Sequence, residues 1–75
     1  MPQKFKEPNF NEKNLELRFE NNIICIYGTS EGLKKLSDLC QELIENPNQG
    51  HIHLEEYNIL TNDSLKGAIA IFGKD

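Results

Sequence analysis

Seventy-five residues, 37% of them hydrophobic, make one small domain that buries only about 60 to 65% of the surface its unfolded chain exposes. A second domain has no room, and a binding surface is favoured over an enclosed active site. Twelve acidic against eight basic residues set the net charge at -4, which repels phosphate backbones and anionic lipid, so neither nucleic acid nor membrane is an expected partner.

Three of the basic and two of the acidic residues precede Asn14, leaving the remainder at -5; a basic protein would be steered towards it. No stretch reads as a signal peptide or a membrane span, so a cytoplasmic location is expected. The two cysteines, Cys25 and Cys40, form no CxxC pair and read as buried, reduced thiols.

Residues 1–12, with Pro2 and Pro8, read as an irregular, partly mobile lead whose Phe5 and Phe10 pack on the body; residues 13–75 form the domain. In "NLELRFE" strict alternation sends Leu15, Leu17 and Phe19 one way and Glu16, Arg18 and Glu20 the other, which predicts a strand with one buried side. The pair Asn21–Asn22 suits a two-residue hairpin turn, and "IICIYG" follows as the return strand. Pairing Glu20 with Ile23 places Ile24 and Ile26 on the core face beside Phe19 and Leu17. Ile23, Cys25 and Tyr27 then share the opposite face with Glu16, Arg18 and Glu20.

A helix starts at Thr29 or Ser30 as N-cap and stops at Asn46 before Pro47. Leu33, Leu36, Leu39, Cys40, Leu43 and Ile44 form its single apolar stripe. The segment "GTSEG" lacks the spacing of a phosphate-binding loop and reads as a tight strand-to-helix turn. Beyond Gly50, "HIHLEE" alternates again with Ile52 and Leu54 inward. Asn62, Asp63 and Ser64 mark a turn, and "KGAIAIF" supplies a last strand with Ile69 and Ile71 on one side. The expected fold is α+β, a two-layer sandwich of order β-β-α-β-β with one helix on one face of a four-stranded, mainly antiparallel sheet.

One helix closes one face, so the opposite face is the expected working surface. Cys25, Tyr27, His51, His53, Glu55 and Phe72 are its candidate partner-binding residues. The His-x-His spacing would let two imidazoles converge on an ion, but a zinc site needs three or four ligands and only Glu55 is at hand, so no metal and no cofactor is expected. Nor do Ser30, Ser37 and Ser64 stand in a nucleophile motif, and an enzyme is the weaker class.

The run "IYGTSEGLKKLSDLCQELIE", then "HIHLEEYNIL" and a serine-bearing turn before the last strand, resembles the bacterial immunity proteins of polymorphic toxin systems, of the type called immunity protein thirty-two. The resemblance covers roughly Ile23 to Phe72. It implies a cytoplasmic protein that neutralises a cognate toxin by binding it. Where that family has Asp after His-x-His-Leu, this chain has Glu55. Two alternatives stand beside this one: a homodimeric structural domain whose open sheet face meets its own copy, and a small metal-binding protein using His51 and His53.

Overall fold

The computed structural model describes residue 10 and residues 13–72. The lead expected over residues 1–12 therefore lies outside the described residues, except for Phe10, which is half-buried in irregular backbone. Five regular elements follow in the expected order: β1 (Leu15–Glu20), β2 (Ile23–Gly28), α1 (Ser30–Glu45), β3 (His51–His53) and β4 (Ala68–Ala70).

The first hairpin has the register its alternation dictates, Glu20 opposite Ile23 and Leu17 opposite Ile26. Its turn uses Asn21 and Asn22 at φ 53° and 65°, left-handed conformations that asparagine adopts more readily than most residues. At the start of α1, Thr29 Oγ1 accepts a 3.0 Å hydrogen bond from the Gly32 N–H, satisfying one of the unpaired donors of the first turn. The same hydroxyl donates to Asn14 Oδ1 at 3.0 Å, and the Thr29 N–H donates to the Asn14 carbonyl. Because that carbonyl lies against Gly32, a Cβ there would collide with it. Asn46 ends the helix with its N–H on Glu42 O, and Pro47 cannot continue it.

The four strands do not join into one sheet. They form two antiparallel pairs, β1–β2 and β3–β4, and the outer edge of β1 is taken up by other backbone. Leu15 N–H donates to Ile59 O, Thr61 N–H to Leu15 O, and Leu65 N–H to Leu17 O, while Ser64 Oγ accepts from Leu17 N–H. Residues 59–65 thus occupy one of the hairpin's two edges, touching it as a strand only through the parallel bridge of Leu15 with Leu60.

The helix packs against both pairs. Leu39 and Leu43 meet Leu15, Ile52, Leu54 and Ile59 in the core, with Leu17, Leu36, Tyr57, Leu60, Ile69 and Ile71 packed around it. Each fully buried leucine of this set contributes about 1.5 to 3 kcal/mol. The apolar stripe is narrower than its spacing suggests, since Leu33, Cys40 and Ile44 are exposed. Cys25 is half-buried, so neither thiol is the buried small hydrophobe expected of it.

A larger correction concerns the faces of the first hairpin. Phe19, Ile24 and Ile26, expected in the core, are 60%, 77% and 51% exposed, whereas Glu16 on the other face is 1% exposed. Residues 59–65 cover β1 from its edge and enclose Glu16, while α1 lies over the end of the hairpin near Gly28 and leaves the apolar side of β2 uncovered. In the second pair, Ile52 and Leu54 are inward as expected, but the strand stops at His53 and Leu54–Tyr57 turn as a short 3-10 helix.

Candidate functional site

On the charged side of the hairpin a closed polar network replaces the open apolar face. Arg18 lies between two carboxylates, Nε on Glu16 Oε2 and Nη1 on Glu20 Oε2 at 3.0 Å. The Thr61 hydroxyl donates to Glu16 Oε1, and the Tyr27 hydroxyl donates to Glu20 Oε1 at 2.9 Å. The guanidinium carbon stands 4.7 Å from the centre of the Tyr27 ring, within cation–π range. Withdrawal from water would lower the Arg18 pKa, but hydrogen bonds and charge from Glu16 and Glu20 outweigh it and hold it above its ordinary value. The Tyr27 hydroxyl is pushed up to about 12, first by lost hydration of the phenolate and then by Glu20, which holds its proton.

His51 and His53 emerge on the outer face of β3–β4, opposite Ala70 and Ala68 respectively. All four are exposed. The two rings meet edge to face with centroids 4.8 Å apart. Glu55 is not on an extension of the strand, yet the 3-10 turn brings its Oε2 to 3.4 Å from His53 Nδ1. Its Oε1 is buried and has no hydrogen-bond partner. No group of three or more His, Cys, Asp and Glu gathers in metal-binding geometry among the described residues. Two residues past Ala70, Phe72 is 96% exposed.

Of the six residues expected on one surface, His51, His53 and Glu55 are therefore brought together, with Phe72 following the strand that pairs with them. Cys25 and Tyr27 belong to the other sheet: Cys25 Sγ lies 3.8 Å from Ile23 O, and Tyr27 is part of the arginine network. Neither that network nor the third surface, an apolar cleft of about 550 Å³, was anticipated. Leu17, Phe19, Ile24 and Ile26 of the hairpin form one wall of the cleft, with Leu36 and Cys40 of α1 and residues 65–69 opposite. A signal for it was present in "IICIYG", which carries three isoleucines and no charge.

The model of a family described as Immunity protein 32 matches residues 24–73. These residues run from β2 through α1 to the end of β4 and leave out β1. No curated protein and no solved structure matches the chain. No helix among the described residues is long and apolar enough to cross a membrane.

Proposed function

The chain belongs to the immunity protein 32 family, whose role in general is toxin neutralisation, and from that premise we propose that it disarms a cognate toxin by binding it stoichiometrically, without turnover, in the cytoplasm. Family membership is the observation that carries this reading. Net charge adds to it, because an acidic inhibitor associates quickly with a basic toxin through electrostatic steering.

The proposed contact is the outer face of β3–β4. Two imidazoles alternate there with the methyl groups of Ala68 and Ala70, Glu55 stands at one end, and Phe72 is an aromatic group held almost entirely in water. An exposed aromatic at the border of such a shallow platform is the kind of residue that becomes an anchor on binding.

The test is genetic first and physical second. The polypeptide encoded beside this gene is expressed alone and together with this chain, and co-expression is expected to restore growth. Purified Phe72→Ala, with an unchanged circular dichroism spectrum, is expected to bind that toxin about a hundredfold more weakly. Growth arrest that co-expression never relieves would overturn the function. Full binding by both Phe72→Ala and a His51→Ala/His53→Ala double variant would overturn the site alone.

A further inference from the structure

The hydrogen bonds of β1 fix which groups of β2 face outward. Leu15 and Leu17 direct their N–H and C=O groups away from β2, towards residues 59–65. In an antiparallel pair these directions alternate, so Glu16, Arg18 and Glu20 bond to Tyr27, Cys25 and Ile23. The N–H and C=O groups of Ile24 and Ile26 are therefore left on the outer edge. Among the described residues no other segment pairs with that edge, and the side chains of both residues are exposed above the apolar cleft.

Edges of this kind are normally blunted by lysine, proline, a bulge or a covering loop. Among the described residues this one has none of them. Strand "IICIYG" carries no charge in a chain of net charge -4, so two copies can meet along it without setting carboxylate against carboxylate. The sequence is also nearly self-complementary about Cys25, with an isoleucine on either side, which is what a two-fold interface requires.

We infer that β2 is a self-docking strand: two copies pair antiparallel through its outer edge, Ile24 of each opposite Ile26 of the other, so that two hairpins become one four-stranded sheet. The paired isoleucines lie on one face and extend the apolar wall of both clefts. Cys25 then faces its own counterpart in a non-hydrogen-bonded pair, with Cα atoms about 4.5 Å apart, inside the range a disulfide spans. This surface is separate from the proposed toxin contact on β3–β4, and neither depends on the other.

Sedimentation equilibrium of the purified full chain, with reductant present, is expected to show a dimer at micromolar concentration. Ile24→Lys sets two like charges in the symmetric contact and is expected to weaken association about a hundredfold, with an unchanged far-ultraviolet spectrum because residue 24 is exposed. A chain that stays monomeric at about 100 µM, or a dimer that Ile24→Lys leaves intact, overturns the inference. Mild diamide oxidation tests the register. Cross-linking of the Cys40→Ser protein through Cys25 supports the pairing drawn here, while a dimer that cross-links only through Cys40, or through neither thiol, overturns it.

Discussion

The two strands of the first hairpin invert what their composition suggests. β2, with three isoleucines and no charge, is the more apolar, yet its side chains lie largely in water; β1, with three charged residues, holds Leu15 and Glu16 at near-complete burial. The difference comes from what reaches each edge. Residues 59–65 bond along β1 and enclose it, and nothing among the described residues does the same for β2. Hydrophobicity sets how favourable burial would be, but an element has to arrive before burial occurs.

The most severe challenge to this contrast is Leu15→Ala. It leaves a void between the hairpin, α1 and residues 59–65, and is expected to cost about 2 to 5 kcal/mol in urea unfolding. A loss below about half a kcal/mol would mean that β1 is not the sealed strand. Next in size is Glu16→Ala, which removes a partner from Arg18 and from Thr61 while both stay partly buried. Its expected cost is about 2 to 3 kcal/mol, again read by denaturant unfolding.

Tyr27→Phe deletes only the hydroxyl that donates to Glu20, and a smaller loss of stability than that of Glu16→Ala is expected. The same residue makes a pH prediction. Its folded pKa, about 12, lies above the unfolded value near 10, so between those limits the unfolded chain releases a proton that the folded one retains. Stability is then fully present below pH 10 and declines as pH rises towards 12; the Tyr27→Phe protein should lack that component when the two are compared by thermal midpoint. Smallest of all is Ile24→Ser. In dilute protein, where association does not contribute, it should change stability by no more than about half a kcal/mol, and a larger loss would place Ile24 in the core after all.

Local features were legible in the residues themselves. The alternation of "NLELRFE", the asparagine pair, the cap at Thr29 and the stop at Asn46–Pro47 fixed the hairpin register and both helix ends, because each depends on neighbours within a few positions. Inward placement of Ile52 and Leu54 was legible for the same reason. The hold of residues 59–65 on one edge of the hairpin was not, since they have no periodicity and read as a connection. The burial of Glu16 was hidden too: its partner Thr61 is 45 positions away, and no local pattern signals a carboxylate that will be enclosed. Of the candidate residues, the outward direction of His51 and His53 follows from strand parity, whereas the network that holds Tyr27 joins Arg18 and Glu20 across the hairpin and reaches Thr61 through Glu16, which no local pattern announces.

The edge that seals β1 also bears on the order in which the molecule folds. A hairpin closed by a two-residue turn forms in about 1 to 10 µs, but the bonds that enclose β1 join Glu16 to Thr61 and Leu17 to Ser64, 45 and 47 positions apart. They must wait for a long loop to close. Early in folding, therefore, both edges of the hairpin are bare, and the one that native contacts later cover is the one rich in charge. Thr61→Ala and Ser64→Ala should accordingly speed unfolding while leaving the refolding rate nearly unchanged in stopped-flow experiments, because the contacts they remove form on the native side of the barrier.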